Sequence, residues 1–577
     1  MIDIDKLKAS WWSSAPLTFD AQESITNSYE HPELFWDSLW TLQKSVSSIP
    51  SKSVLNKHYD FYSDCVLRHP ESHIAFSLIE EGGFISSWSY KKLHRCVNYQ
   101  LKKWLKQPIK PGTLTAIILP RGIDALIALL AALRMGLTIC MLPPDTPFLS
   151  QACALASLDD LKPELIITKQ KDSPLAQTAC PTLFIEELGE SDDAPFLDPH
   201  AYPATDTLQF SLALHRKEPY IFLPLDAHTT YLHALRDGLF TLNLKPETPY
   251  IAPLACPLRS EPCLSLSTLL SGATLMHVSD EALLKDPLIL KDKKPHVMSI
   301  ARHLLELWAK EPGCPSKQLK CFSISPIDRH FSFWKTFLQT NELDKIPYFQ
   351  AWTDNSLGGF ALISKPGTNT TDFFVKPSPG THWHLQDLVR SKEPFSSGFG
   401  LFAPTLSSEE NSAKETNFVL SNLDIDCLIV STDKPAREGV TIPTQKLEEA
   451  LCQLSFVKHA LVYTFQKPGA IAHSQLTFLI FVDPLKNDIS DTTKQEWSST
   501  VCDHIIKQIG TAFLPDSIEY FVLAPKMKGL HIDKVWCLNQ YAKGLLTQKN
   551  RLQVYQMLSM LKKLTQDALS QEPFLKS

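Results

Sequence analysis

Cysteine is the first residue type in this chain that could do chemistry, because clustered cysteines bind metals and paired ones exchange disulfides. The thirteen cysteines include no CxxC pair and no Cys/His spacing typical of a metal site. Their odd number and their apolar neighbours, as around Cys140 and Cys153, favour reduced thiols in a cytosolic compartment. We therefore interpret the cysteines as structural and predict a cytoplasmic protein.

Phosphate chemistry would require glycine-rich loops, and this chain is poor in glycine. It has 20 glycines in 577 residues, about half of the usual ~7%. In PYIFLPLDAHTTYLHAL, at 219–235, the run Tyr220–Leu225 predicts a buried strand and His228–Leu239 a helix, with almost nothing between them. No glycine lies between Gly189 and Gly238, and the nearest lysine, Lys217, precedes the strand. The junction therefore offers no local backbone nest for a triphosphate.

Charge and hydropathy exclude several classes of partner. The net charge of -6 is spread along the chain without a run of five like charges, so we predict neither a nucleic-acid partner nor a polybasic membrane patch. The N-terminus, MIDIDKLKASWW, lacks the apolar core of a signal peptide. The most apolar region, Leu114–Pro144, is interrupted by Arg121, Asp124 and Arg134, so we expect no transmembrane segment.

Strands and helices alternate along much of the chain. GTLTAIILP, LTICMLPP and PELIITK predict strands, and IDALIALLAALRMG predicts a helix that ends at its glycine. This alternation predicts a parallel sheet with helices on both faces. After about residue 430 the pattern changes to helix–strand–strand–helix–strand, which is typical of a small α+β unit. We expect the aromatic stretch PELFWDSLW to pack onto the main body as a cap.

Several stretches together resemble one family, the ANL superfamily of adenylate-forming enzymes, in particular acyl-CoA synthetases of the acetyl-CoA synthetase type. Residues 86–145, from SSWSYKKLHR to LTICMLPPD, resemble its T-Y-x-E-L … G-x-x-x-G-D-x-V-A-x-x-L-P … A-x-L-A-x-x-x-x-G-A block. LEEALCQLSFVKHALVY, at 447–463, resembles the start of its small C-terminal domain, and FVLAPKMKGLHIDKVW, at 521–536, the segment that ends in P-K-T-x-x-G-K-I. LFWDSLW is similar to the Phe-Trp of its N-terminal extension. The similarity spans nearly the whole chain in the family's order.

The resemblance implies an α/β fold. A large N-terminal domain of several subdomains, with mixed and parallel sheets covered by helices, would be followed by a small α+β C-terminal lid domain. We expect a cap segment over 1–60, an AMP-binding-like domain over 61–428, the small domain over 429–545 and a helical tail over 546–577.

The resemblance also implies a reaction, in which ATP and a carboxylate form an acyl-adenylate that CoA then attacks. Such chemistry needs a Mg²⁺ ion, a phosphate-cradling loop and a lysine to neutralise charge. The family's loop, T-S-G-S-T-G-x-P-K-G, has no counterpart in LPLDAHTTYLHAL, where the strand leads straight to the helix. The loop that clamps adenine falls in SISPIDRHFSFW, which has no glycine to allow close approach of a purine.

The family's acidic motif, Y-x-x-T-E, falls in IPYFQAWTDNSLGGF, where two registers remain open. In the first, Thr353 and Asp354 take the T-E positions, and the carboxylate of Asp354 could hold Mg²⁺. In the second, LGGF aligns with T-G-G-F, and Asn355 and Ser356 take those positions without a metal ligand. A third interpretation is that Thr353 and Asp354 only cap a loop.

Two further family positions are altered. The aspartate that binds the ribose hydroxyls corresponds to Asn422, which can still accept a hydrogen bond but carries no charge. In the hinge motif, G-R-x-D-D in the family, Asp433 remains, while the arginine position holds Val430.

The catalytic lysine position is also altered. PKMKGLHI, aligned with P-K-T-x-x-G-K-I, places His531 there, and a neutral imidazole cannot supply the permanent charge of a lysine. Lys528 and Lys534 lie close by in sequence and could compensate.

HALRDG, at 233–238, matches the H-x-x-x-D-G of CoA-dependent acyltransferases, in which the histidine is a general base. The family resemblance places this segment on a helix, where His233 and Asp237 would form an ordinary pair one turn apart. We therefore favour a structural role for both residues.

Two hypotheses follow for the function. In the first, which we favour because all departures point the same way, the chain is a pseudoenzyme that binds or scaffolds acyl-CoA, an acyl-carrier protein or a related synthetase. It then requires no nucleotide, although it could bind CoA. In the second, it is a divergent but active acyl-CoA ligase that uses ATP and Mg²⁺, with Asp354 on the metal and Lys528 or Lys534 replacing the lost lysine.

Overall fold

The computed structural model describes most of the chain, and its elements are numbered in chain order. The described residues are 2–13, 18–31, 34–40, 58–142, 161–169, 180–185, 189–192, 197–213, 221–255, 260–301, 304, 308, 312–324, 334–354, 358–367, 376–380, 382–386, 397–403, 415–424, 427–431, 436–437, 440–442, 444–466, 474–482, 490–528, 531–532, 536–537, 540–541 and 544–554. The α-helices are α1 Ile4–Trp11, α2 Phe19–Glu30, α3 Tyr90–Trp104, α4 Ile123–Met135, α5 Ala227–Arg236, α6 Cys263–Leu270, α7 Asp280–Lys285, α8 Trp334–Thr340, α9 Thr444–Leu451 and α10 Asp491–Gln508.

Strands provide most of the architecture. They are β1 His58–Tyr59, β2 Ile74–Ile79, β3 Ile85–Ser89, β4 Leu114–Ile118, β5 Thr138–Met141, β6 Leu165–Thr168, β7 Thr182–Phe184, β8 Tyr202–Pro203, β9 Thr207–Ala213, β10 Ile221–Asp226, β11 Pro249–Ile251, β12 Thr274–Val278, β13 Val297–Ile300, β14 Cys321–Ile324, β15 Tyr348–Asp354, β16 Gly359–Ile363, β17 Lys376–Pro377, β18 His382–Gln386, β19 Ser397–Ala403, β20 Glu415–Asp424, β21 Cys427–Ser431, β22 Ala436–Arg437, β23 Val440–Thr441, β24 Val457–Gln466, β25 Ser474–Val482, β26 Ser517–Phe521, β27 Met527–Lys528 and β28 His531–Ile532.

The first large sheet has the strand order β10–β9–β5–β4–β6–β7. Its strands run parallel except for β10, which pairs antiparallel with β9 at the edge. Helix α4 follows β4 and is buried along nearly its whole length, because IDALIALLAALRM is apolar on every face. It ends at Gly136, whose left-handed φ of 77° closes the helix as the sequence predicted.

The second large sheet has the order β17–β16–β15–β14–β13–β11–β12–β2–β3. The strands from β15 to β2 run parallel, and the antiparallel neighbours β16 and β3 flank them. Strands β2 and β3 form an antiparallel hairpin, with Gly82 and Gly83 at positive φ in its turn. The mixed α/β architecture predicted from the sequence is therefore confirmed.

Two smaller units follow. Strands β18–β21 form an antiparallel sheet. In the C-terminal part, α9, β24, β25, α10 and β26 occur in the predicted order, and their apolar side chains, including Leu447, Phe478 and Val501, enclose a separate core. The predicted domain boundaries at 60, 428 and 545 stay predictions.

The N-terminal segments pack against the main body. Phe35 and Trp36, in the helical segment 34–40, are buried. The ring centroid of Phe35 lies 5.8 Å from that of Phe240, and that of Trp11 lies at the same distance from Phe240. PELFWDSLW therefore covers the region that follows α5.

The structure describes the side chains of ten cysteines, and these are free thiols. Burial raises the pKa of several of them, including Cys65, Cys140 and Cys321. In the described part of the chain, no helix is long and apolar enough to cross a membrane.

Candidate functional site

Strand β10 runs directly into helix α5. The strand ends at Asp226 and the helix begins at Ala227, so no residue lies between the two elements. Pro224, which has no backbone N–H, is tolerated because β10 is an edge strand. The prediction that this strand leads straight into a helix is confirmed, although the helix begins one residue earlier than expected. It also ends sooner, at Arg236, and continues as a wider π-helical turn over Asp237–Thr241.

The first backbone N–H groups of α5 are all hydrogen-bonded within the protein. Ala227 N donates to the carbonyl of Asp206 at 2.9 Å, and His228 N to that of Ala204 at 3.2 Å. Thr229 N donates to Oδ1 of Asp226 at 2.6 Å. Asp226 is thus the N-cap of the helix, and its side chain lies at the positive end of the helix dipole.

Aromatic side chains surround the start of α5. The hydroxyl of Tyr59 hydrogen-bonds Nδ1 of His228, and its ring lies 5.0 Å from that of Tyr231. Trp40 stacks on Tyr231 with a centroid distance of 5.4 Å. Burial, together with the charge of Asp226, raises the pKa of Tyr59, so this hydroxyl stays protonated. Neutral rings therefore line this helix end.

HALRDG lies on α5 and the turn after it, and its polar groups are buried. The ring of His233 stacks on Trp36 at 5.6 Å. Arg236 Nη2 lies 2.8 Å from Oδ1 of Asp237, and the backbone N–H of Phe360 donates to Oδ2 of Asp237 at 2.7 Å. These contacts join the turn to strand β16. They support a structural role for His233 and Asp237 rather than general-base chemistry.

Thr353 and Asp354 are the last two residues of β15. They pair with Phe360 and Gly359 of β16, and the register shifts between Trp352 and Thr353. Thr353 is half-buried. The side chain of Asp354 and residues 355–357 lie outside the described part of the structure, so the metal role of Asp354 and the register of this motif stay predictions.

The remaining predicted site residues lie in the C-terminal third. Asn422 is in β20 and pairs with Leu428 of β21. Lys528 and His531 are cross-strand partners in the β27–β28 hairpin, so the structure brings the lysine next to the histidine. Asp433 and Lys534 lie outside the described residues. The described contacts do not join this hairpin to Thr353.

Two solved structures are similar to this one. The first is a double mutant of o-succinylbenzoate CoA synthetase from Bacillus subtilis bound to a product analogue, with a TM-score of 0.67, 14% identity, and coverage of 83% of this chain and 98% of that chain. The second is an amide bond synthetase from Marinactinospora thermotolerans, with a TM-score of 0.64 and 13% identity. The match covers 83% of this chain and 98% of that chain. The sequence matches no protein-family model and no curated protein. At this level of identity the similarity establishes the fold.

Proposed function

We propose that this chain, which has the fold of the ANL adenylate-forming enzymes to which both synthetases belong, does not activate carboxylates. It serves instead as a binding or scaffolding homologue of acyl-CoA synthetases. Its ligand would be an acyl group, CoA or both, and its protein partner an acyl-carrier protein or a related synthetase.

The start of α5 carries this proposal. A phosphate site at a helix end needs backbone N–H groups that point at the ligand. Here the N–H groups of Ala227, His228 and Thr229 are bonded to Asp206, Ala204 and Asp226. A triphosphate would have to break these bonds and would meet the carboxylate of Asp226, whose charge repels phosphate. The residues present therefore do not fit a triphosphate.

The family positions in the C-terminal third support the same conclusion. By alignment, His531 stands in place of the catalytic lysine and Asn422 in place of the ribose-binding aspartate. Both changes remove a charge that adenylate chemistry uses. Lys528, which pairs with His531, is the residue that would have to compensate in an active enzyme.

The activity test is carboxylate-dependent release of pyrophosphate. The full chain would be mixed with Mg²⁺-ATP, CoA and a series of linear carboxylates from acetate to dodecanoate. We expect no release above that of a sample without carboxylate. Asp344→Ala, at an exposed aspartate, is the control. If pyrophosphate is released, and Asp354→Ala abolishes the release while Asp344→Ala leaves it intact, the chain is an active ligase and the proposal is contradicted.

The binding role has its own test. Titration of the folded protein with acyl-CoA and with CoA would measure affinity without any turnover. We expect acyl-CoA to bind more tightly than CoA, because the acyl chain adds apolar surface that leaves water. If neither binds, a purely scaffolding role remains, and the acyl part of the proposal is wrong.

A further inference from the structure

The second large sheet ends at β3, whose outer edge is unpaired. β3 is the last strand of that sheet, and within the described part of the chain it pairs with β2 alone. Its sequence, ISSWS at 85–89, contains no charged residue and no proline, which are residues that proteins commonly use to keep edge strands from pairing. An uncharged edge strand of this kind can accept a further strand.

The hydrogen-bond pattern of the hairpin shows which backbone groups of β3 point outward. Glu80 N donates to the carbonyl of Phe84 at 2.9 Å, and the register holds from there to Ser87 without a shift. Hydrogen-bonded and non-hydrogen-bonded pairs alternate in an antiparallel ladder, so the backbone groups of Ser86 face β2. The N–H and C=O groups of Ile85 and Ser87 therefore face away from the sheet, and both residues are exposed.

Two charged side chains lie on one face of β3. The carboxylate of Glu80 accepts a hydrogen bond from the hydroxyl of Ser86, and the ammonium of Lys92 lies 4.9 Å from the ring centroid of Trp88. Ser86 and Trp88 are two residues apart, so their side chains point to the same face of the sheet. This face therefore carries a negative charge at Ser86 and a positive charge at Trp88.

We propose that β3 pairs antiparallel with β3 of a second copy of this chain, about a two-fold axis at Ser87. In this register Ser87 lies opposite Ser87 of the second copy, and the outward N–H and C=O groups of the two strands bond each other. Ser86 then lies opposite Trp88 of the second copy, on the same face of the joined sheet. The carboxylate of Glu80 is thereby placed beside the ammonium of Lys92 of the second copy, and the symmetry repeats this pair.

The surroundings of β3 are compatible with a second copy. Lys285 lies 3.6 Å from Glu81, and Lys91 lies 2.9 Å from Glu71. These two pairs are neutral, so they add little repulsion between the copies. Phe84, which is 75% exposed beside the turn, would be partly covered by the second copy, and this burial favours association. The contact needs no ligand and is independent of the proposed function.

Sedimentation equilibrium of the full chain measures the contact. Interfaces as small as a pair of edge strands are weak, so we expect a reversible monomer–dimer equilibrium with a Kd of about 1–100 µM. High salt should raise this Kd, because it screens the pair of Glu80 and Lys92. A folded protein that stays monomeric at about 200 µM would overturn the proposal. No nucleotide or acyl compound is present, so either result leaves the proposed function to its own tests.

Charge reversal tests the register. Glu80→Lys would place two cations beside each other, and Lys92→Glu two carboxylates, so each should weaken dimerisation by about tenfold or more. Glu80→Lys combined with Lys92→Glu restores opposite charges, and its Kd should lie within about threefold of that of the unaltered protein. Glu496→Lys, at an exposed position of α10, is the control and should leave the Kd unchanged. A double variant that dimerises no more tightly than the single variants would overturn the proposal.

Substitutions at the two-fold axis test the strand pairing itself. Ser87→Pro removes the outward N–H and leaves the hydrogen bonds to β2 in place. We expect this variant to be folded and monomeric, whereas Ser87→Thr keeps the N–H and should dimerise like the unaltered protein. The denaturant midpoints of both variants verify folding. A Ser87→Pro dimer as tight as that of Ser87→Thr would place the interface elsewhere and overturn the proposal.

Discussion

Asp226 caps α5 by accepting a hydrogen bond from one of the first backbone N–H groups of the helix. Its carboxylate binds Thr229 N at 2.6 Å and places negative charge at the positive end of the helix. The sequence predicted that no loop separates β10 from α5. It did not predict the carbonyls of Ala204 and Asp206, because these reach the helix from the residues before β9 through tertiary contacts.

Removal of the cap tests its contribution. Asp226→Ala should lower the free energy of unfolding by about 0.5–2 kcal/mol, because Thr229 N loses its acceptor. Asp226→Asn keeps an oxygen acceptor, so its free energy of unfolding should fall by much less. Urea denaturation of the two variants measures both values. Equal stability of Asp226→Ala and the unaltered protein would mean that the cap does not form.

Buried histidines make the fold sensitive to acid. Burial and the charge of Arg121 lower the pKa of His277 from its ordinary value of 6.5 to about 3 in the folded protein. Below about pH 6.5 the unfolded chain binds a proton that the folded chain does not. Stability should therefore fall with decreasing pH by up to about 1.4 kcal/mol per pH unit for this residue. Burial and Arg68 lower the pKa of His69 to about 4, which adds an effect of the same sign.

Denaturation between pH 7 and pH 4 measures this slope. His277→Asn should reduce it, because the titrating group is gone, whereas His58→Asn, at an exposed histidine, should not. A slope that is unchanged in His277→Asn would show that folding does not lower the pKa of His277.

At the scale of elements, the β15–β16 hairpin packs on α5 and on the turn after it. Gly358 and Gly359 have φ of 83° and 140°, values that L side chains rarely adopt. A Cβ on Gly358 would lie 2.9 Å from Nδ1 of His233, and one on Gly359 would overlap Oδ2 of Asp237. The absence of side chains at the two glycines therefore allows the start of β16 to approach His233 and Asp237 closely.

Gly359→Ala should destabilise the protein severely, because the methyl group must displace a buried carboxylate that is paired with Arg236. Gly112→Ala is the matched control. Gly112 also has positive φ, at 81°, but open space lies where its Cβ would be, so only backbone strain of about 1–2 kcal/mol is expected. We expect the decrease in the free energy of unfolding to be about 3 kcal/mol larger for Gly359→Ala than for the control. Similar denaturant midpoints for the two variants would contradict this packing.

The periodicity of apolar residues predicted individual helices and strands better than it predicted which strands pair with each other. The alternation of apolar residues identified β4, α4, β5 and the C-terminal α+β unit, because these patterns are local. The pairing of β12 with β2 joins Leu275 to Phe76 across a long stretch of chain, and no local pattern specifies such a partner. The Arg121–Glu261 ion pair could not be predicted from the sequence for the same reason, because each residue alone is typical of an ordinary surface charge.

At the scale of the whole molecule, the fold and the nucleotide site have separate physical bases. The sheets and cores depend on apolar pattern, and they give a fold that is shared with the similar structures at 13–14% identity. A phosphate site depends on a few unbonded N–H groups and on charge, which a handful of residues can remove. Function must therefore be argued from the chemistry of individual residues rather than from the fold.

Calorimetric titration of the full chain with Mg²⁺-ATP measures whether this protein binds the nucleotide. We expect no detectable heat of binding at millimolar ATP from a protein whose circular dichroism and cooperative unfolding show that it is folded. Micromolar binding, with one site per chain, would contradict the proposal that this chain needs no nucleotide.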